Sequence, residues 1–168
     1  MKGTIQLYEG DLLDVACDAV VNAANSSLMG GGGVDGAIHS AAGPELKEAC
    51  RPLAPCPTGE VRVTDGFGIR DRLIFHTVGP VWRGGDQGEA ELLKACYTHC
   101  LDELLRRELS SIVFPAISTG AYGYPLNEAA GVAVTTCRDY AARADIEITL
   151  AAFDAQNATA IKGALHQP

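Results

Sequence analysis

Short apolar runs along this chain alternate with longer segments in which apolar residues recur every three or four positions. Ile5 and Leu7 alternate with polar neighbours between Thr4 and Tyr8, the period of a half-buried strand. Gly10-Asp11 breaks that strand, and Leu12 to Val15 reads as a short turn of helix. Ala19-Val20-Val21 reads as the end of a buried strand, and Val61 to Thr64 alternates as a second surface-facing one. Leu73 to Val78 is a denser apolar run and reads as a more buried strand. Ser111 to Pro115 and Glu147 to Phe153 complete the strands. Helical spacing is clearest at Leu92, Leu93, Cys96, Tyr97, Cys100, Leu101, Leu104 and Leu105, with charges on the opposite face. Pro125 opens a helix to about Ala142, and Ala155 to Leu165 forms the last one. Two shorter helices run from Asp35 toward Ala42 and from Pro44 to near Cys50, separated at Gly43-Pro44.

Strands and helices interleave throughout, which predicts one α/β domain over residues 1–168, with helices on both faces of a mainly parallel sheet of about six strands. In such sheets ligands sit at the carboxyl ends of strands. Two glycine-containing loops leave strand ends, one after Val21 and one from Ile117 to Tyr124, and are placed to face one crevice.

Length supports this: a domain near 168 residues buries about 70% of the surface its unfolded chain exposes. Apolar content of 47% and charged content of 20% are ordinary globular usage. No apolar run reaches the ~18 residues of a membrane span. Residues Met1 to Gln6 lack the apolar core of a signal peptide and read as a strand, so a cytoplasmic location is expected. The net charge of −8 disfavours nucleic acid as a partner, because polymer binding rests on Lys and Arg neutralising phosphates. It leaves room for a small phosphate ligand held by backbone amides. The six cysteines read as reduced thiols. Cys96, His99 and Cys100 are the one local cluster resembling a metal site, but Cys96 and Cys100 continue an apolar helix face, so core burial is the better reading and no metal or cofactor is called for.

The stretch from Val21 to His39 carries the chemistry. A strand end is followed by Asn22 and Asn25, four consecutive glycines from Gly30 to Gly33, and the helix start Val34-Asp35-Gly36-Ala37-Ile38-His39. Glycines let backbone N–H groups approach an anion, and a helix N-terminus adds unpaired donors and a positive dipole end. A flexible surface loop is the simpler reading of a glycine run. The asparagines before it and the second glycine loop argue for a phosphate-bearing ligand.

Gly10-Asp11-Leu12, Val21 to Asn25, Gly31 to His39, His76-Thr77-Val78-Gly79-Pro80 and Ile117 to Pro125 follow the order seen in macro domains. The chain resembles the MacroD-type branch of that family from about Ile5 to Phe153. The resemblance implies a three-layer α/β/α fold with a mixed, largely parallel sheet. It also implies an enzyme that binds ADP-ribose, removes mono-ADP-ribose from acidic side chains of proteins and deacetylates O-acetyl-ADP-ribose.

By that resemblance Asp11, with Leu12 beside it, contacts adenine, an acceptor-only carboxylate suiting an amino donor; a helix cap is the alternative. Phe153 stacks on adenine or belongs to the core. Gly31, Gly32, Gly33 and Val34, with Ser118, Thr119, Gly120, Ala121 and Tyr122, clasp the diphosphate and distal ribose, the Ser118 and Thr119 hydroxyls adding donors. Tyr122 alternatively covers the core. Asn25 orients a ribose hydroxyl, and Asp35 positions or activates water, with the substrate's own phosphate as the alternative base; Asp35 also suits the first turn of a helix electrostatically. His39 shares the helix face of Asp35 and either bonds into the site or packs on the helix. Asn22 holds the strand-end corner through backbone hydrogen bonds, with ligand contact second, and His76 is structural.

The chain lacks a P-loop, a Gly-x-Ser-x-Gly elbow and a His-Glu-x-x-His pair. Two rivals stand beside the hydrolase: an ADP-ribose-binding module without turnover, and an RNA-associated regulator, against which the charge counts.

Overall fold

The computed structural model describes residues 2–168. Six strands and five α-helices alternate: β1 (Thr4–Glu9), β2 (Ala19–Ala23), α1 (Gly33–Ala42), α2 (Pro44–Cys50), β3 (Val61–Asp65), β4 (Leu73–Thr77), α3 (Glu89–Arg106), β5 (Ser111–Phe114), α4 (Leu126–Ala141), β6 (Glu147–Ala152) and α5 (Ala155–Leu165). The strands form one sheet in the order β1-β6-β5-β2-β4-β3. Every neighbouring pair is parallel except β3 with β4, so the sheet is mixed and largely parallel, and the fold is a three-layer α/β/α sandwich.

Alternation along each strand divides the core between the two faces. Val21, Phe75, Ile112, Phe114, Ile148 and Leu150 pack with α3, α4 and α5. Val20, Ile74, Val113 and Ala151 pack with Ile38 and Ala42 of α1 and Leu46 and Cys50 of α2. All six cysteines are free thiols; Cys17 is half-buried and the other five are buried. Cys96 and Cys100 point into the core, the Cys96 Sγ reaching the Val78 carbonyl at 3.3 Å, while His99 Nδ1 lies 2.6 Å from the Gly59 carbonyl. Among the described residues no helix is long and apolar enough to cross a membrane.

Several boundaries move from expectation. The first strand begins at Thr4, Lys2 and Gly3 precede it, and Met1 lies outside the described residues. Strand β2 runs on to Ala23, because Asn22 and Ala23 keep pairing with His76 and Thr77 of β4. Strand β6 stops at Ala152, leaving Phe153 outside it and 82% exposed. Helix α3 starts one turn early, at Glu89, whose buried carboxylate accepts the backbone N–H groups of Arg83 (2.8 Å), Gly85 (3.0 Å) and Gln87 (2.7 Å). Pro125 caps α4 rather than beginning it.

Because β1, β6, β5, β2 and β4 are parallel, their carboxyl ends share one edge of the sheet. The loops after β2 and β5 leave from this edge.

Candidate active site

A cleft of about 420 Å³ opens between those two loops, within the ~300–1,000 Å³ range of small-ligand sites. Gly31 to Asp35 form one wall; Ser118, Gly120, Ala121 and Tyr122 form the other; Ala23, Ala24, Gly79, Pro115 and Ala116 line the floor.

The first wall is an uncapped helix. Gly32 occupies the N-cap of α1 and offers no side-chain acceptor to the first-turn N–H groups. The next residue, Gly33, has φ 57°, a conformation that glycine adopts without penalty. By contrast Asp154 caps α5 by accepting from Asn157 N at 2.8 Å. The free donors of α1 and its positive dipole end therefore face the cleft, an arrangement suited to a phosphate.

Asn25 builds the loop leading into that helix. Its Oδ1 accepts from Ser27 Oγ (2.7 Å) and Leu28 N (3.2 Å), and its Nδ2 donates to the Gly30 carbonyl at 3.2 Å. One N–H of the amide remains for a ligand hydroxyl.

Asp35 sits in the first turn of α1, only 5% exposed although it lines the cleft. Its Oδ1 accepts from Asn22 Nδ2 at 2.9 Å and lies 3.5 Å from His39 Nε2. Burial pushes its pKa above the ordinary carboxylate value; the Asn22 hydrogen bond and His39 oppose that rise. A methyl group placed on Gly31 would sit 3.3 Å from Asp35 Oδ2 and 3.6 Å from Asn25 Nδ2, so the second carboxylate oxygen and the Asn25 amide converge at the Gly31 backbone.

The second wall is shaped by its backbone. Ser118 is held at φ 69° while its carbonyl accepts from Tyr124 N at 2.9 Å. Its Oγ is buried and lacks a protein partner. Trp82 N donates to the Tyr122 carbonyl at 2.9 Å, and the Trp82 and Tyr124 rings lie 4.7 Å apart.

A family model described as Macro domain matches residues 21–133. The chain belongs to the macro domain family. A macro domain-containing protein of Methanosarcina mazei is 48% identical to it over 163 residues, covering 96% of this chain and 87% of that protein. An O-acetyl-ADP-ribose deacetylase of Citrobacter koseri is 50% identical over 147 residues, covering 85% of this chain and 83% of its own. A variant of the Oceanobacillus iheyensis macrodomain solved with ADPR superposes with a TM-score of 0.92 at 41% identity, covering 98% of this chain and 92% of that one.

In this macro domain the residues expected to bind fall into three groups. Asn25, Gly31, Gly32, Gly33, Val34, Asp35, Ser118, Gly120, Ala121 and Tyr122 line the cleft together. Asp11 and Phe153 lie off it, at the carboxyl ends of the paired strands β1 and β6. Asp11 caps the following turn, accepting from Leu13 N at 2.9 Å, and Leu12 is buried in the core beside α1 and α2. The third group lies off the cleft lining: Thr119 and Asn22 differ from expectation, whereas His39 takes the packed one of its two readings. His39 stands behind Asp35, off the cleft wall, because one helical turn carries it inward toward Gly30 and His76. The Thr119 hydroxyl donates to the Ala116 carbonyl at 2.9 Å and is not a free donor. Asn22 bonds side chains rather than backbone: Asp35, and His76 Nδ1 at 3.1 Å.

Sequence reasoning missed Ala23, Ala24, Gly79, Pro115 and Ala116 as cleft residues. Gly79 had a local signal, a glycine directly after an apolar run: a Cβ there would collide with Ser118 Oγ and Ile117 Cγ2, so only glycine lets the two segments meet.

Proposed function

We propose that this macro domain binds ADP-ribose in the cleft and hydrolyses esters of its distal ribose, both O-acetyl-ADP-ribose and the ester that joins mono-ADP-ribose to an acidic side chain. The observation that carries the reading is Asp35: a buried carboxylate on the cleft wall, one oxygen occupied by Asn22 and the other converging with Asn25. A module that only held the ligand needs the uncapped helix and the second loop, but not this pair. The deacetylase at 50% identity and the neighbour solved with ADPR support the same ligand and reaction class.

The diphosphate lies on the N–H groups of Gly33 to Asp35 at one side and the Ser118–Tyr122 loop at the other. Adenine extends toward Asp11 and Phe153. At about 4.8 Å per strand, three steps separate β1 from β2, roughly 14 Å, a span suited to an extended dinucleotide-like ligand. The ester falls between Asn25 and Asp35. Asn25 donates its remaining N–H to a ribose hydroxyl. Asp35 Oδ2 accepts a proton from a water whose oxygen adds to the ester carbon. The bond from that carbon to the ribose oxygen then breaks, and the proton passes to the departing oxygen, giving a carboxylic acid and ADP-ribose. Proton handling of this kind is worth about 10²–10⁴-fold in rate.

The test is release of ADP-ribose from O-acetyl-ADP-ribose and from a glutamate-linked mono-ADP-ribosylated protein, by wild type and by Asp35→Ala, with calorimetric binding of ADP-ribose as control. We expect wild type to release product and the variant to lose at least about 10²-fold in turnover while still binding. Binding without release by wild type makes the protein a reader of ADP-ribose. Equal turnover in both removes Asp35 from the mechanism.

A further inference from the structure

Beneath the cleft, on the α1–α2 face of the sheet, lies a buried chain of polar groups whose role depends on the hydrolase reading above. The Asn22 Nδ2 has two N–H groups, and both are used, one on Asp35 Oδ1 at 2.9 Å and one on His76 Nδ1 at 3.1 Å. A ring nitrogen that accepts carries no proton. The His76 proton therefore sits on Nε2, 2.9 Å from Thr64 Oγ1, with the Cys50 thiol 3.9 Å from the same nitrogen. Burial, reinforced by His39, holds the His76 pKa down to about 3, so the ring is neutral.

This orientation of Asn22 leaves one of its own groups unmet. Its Oδ1 is buried without a protein partner, and an unmet buried acceptor is destabilising. Turning the amide over would set that oxygen against the Asp35 carboxylate, two acceptors at hydrogen-bond distance in a buried site. The arrangement serves Asp35 at the expense of Asn22.

We propose that His76 is a positioning residue for hydrolysis, with Thr64 receiving its Nε2 proton: the bare Nδ1 holds the Asn22 amide with its N–H groups toward Asp35, leaving Oδ2 as the carboxylate oxygen presented to substrate. Neither touches the cleft. Their effect passes through Asn22, and substrate affinity is not expected to depend on them.

Two measurements on the full chain test this. Nitrogen-15 NMR, with His76 assigned by comparison with His76→Asn, reads the tautomer without any turnover. A proton on Nε2 and a bare Nδ1 are expected; a proton on Nδ1 overturns the proposal. The second is a comparison of variants. His76→Leu removes the acceptor facing Asn22, whereas His76→Asn returns an oxygen near the Nδ1 position. We expect His76→Leu to lose at least about tenfold in kcat with ADP-ribose affinity within about twofold, and His76→Asn to recover most of that loss. Unchanged kcat in His76→Leu, or equal loss in both variants, overturns the proposal. Should His76→Leu not fold, Thr64→Val against Thr64→Ser takes its place, the hydroxyl-bearing variant expected to keep the higher kcat and equal values overturning the assignment. A wild type that releases no ADP-ribose defeats the hydrolase reading; the tautomer result then shows separately whether the Asn22 lock exists.

Discussion

The loop after β2 and the loop after β5 stand on opposite sides of one cleft, and each holds a non-glycine residue at positive φ: Leu28 at 61° and Ser118 at 69°. Such a conformation costs of order 1–3 kcal/mol and persists only where the surroundings enforce it. They enforce it differently. In the first loop a side chain reinforces the backbone: Leu28 N reaches both the Asn25 carbonyl and Asn25 Oδ1, the latter also binding Ser27 Oγ, and Leu28 is itself fully buried. In the second, backbone pairs do it: Tyr124 N to the Ser118 carbonyl, Gly123 N to Gly120, and Trp82 N to Tyr122. A loop shaped mainly by its backbone keeps a cleft-lining side chain such as Tyr122 out of its own scaffold, although the Thr119 hydroxyl is tied to the Ala116 carbonyl. A loop shaped by side chains ties its geometry to the groups proposed to perform chemistry. Changes in the first loop should therefore act on turnover, and changes in the second on affinity.

The sharpest way to break that division is Gly31→Ala. Its methyl would stand between Asp35 Oδ2 and Asn25 Nδ2, where both neighbours are anchored. We expect kcat to fall by about tenfold or more, a barrier increase of roughly 1.4 kcal/mol, measured by steady-state release of ADP-ribose. An unchanged kcat would mean that the converging pair is not where the ester reacts.

Next in size is the acid limb of the pH profile. Activity that needs ionised Asp35 is lost as pH falls through its pKa. Burial raises that pKa, against the opposing Asn22 bond, so the limb should lie above the ordinary value of about 3.9. Asn22→Ala removes a lowering contribution and should move the limb to still higher pH. Asp35 also faces His39 on its own helix and lies near Cys50 of α2, so each variant profile is to be compared with wild type measured in parallel.

Glu89→Gln tests the second side. Burial raises the Glu89 pKa, but the backbone N–H groups of Arg83, Gly85 and Gln87, among others, outweigh it and hold the group down to about 2. A depressed carboxylate stabilises the fold above its unfolded pKa of about 4.3, and that contribution disappears as pH falls toward about 2. Glu89→Gln should lower Tm at pH 7, with the difference from wild type shrinking in acid. Ligand affinity should weaken modestly through Trp82 and Tyr122, and kcat should hold. The smallest effect belongs to Phe153→Ala. At 82% exposure the ring contributes little to the fold, and losing a stack worth about 0.5–1.5 kcal/mol should weaken ADP-ribose binding roughly two- to tenfold in calorimetry, with Tm unchanged.

Most of the fold was legible because its elements follow their periods: each strand and each α-helix falls within a few residues of its apolar pattern. The misses occur where a partner distant in sequence decides. Nothing local in Glu89-Ala90-Glu91 says that the first glutamate anchors a loop. Asn22 and His76 are 54 positions apart, and only the register of β2 on β4 makes them neighbours. His76 in an apolar run reads as a core residue, which its burial satisfies; its hydrogen-bonding role appears only once the sheet is assembled. At the cleft, glycines and the Asn and Asp positions carried a local signature. Gly79 aside, the floor residues did not, since Ala23, Ala24 and Ala116 contribute only their smallness.

The thiols offer a different use of the same architecture. Five of the six cysteines are buried, and burial raises the pKa of Cys50 and Cys96 to about 11 and that of Cys137 higher still. A thiol in that state reacts with an alkylating reagent only when its surroundings open. Cys50 lies in α2, Cys96 and Cys100 in α3, and Cys137 in α4, while Cys17 is half-buried near the surface. The native chain thus carries its own set of chemical clocks, Cys17 the least sheltered, four timed by the helices that hold them and Cys56 by the loop before β3, from which the order of local opening can be read without introducing a label.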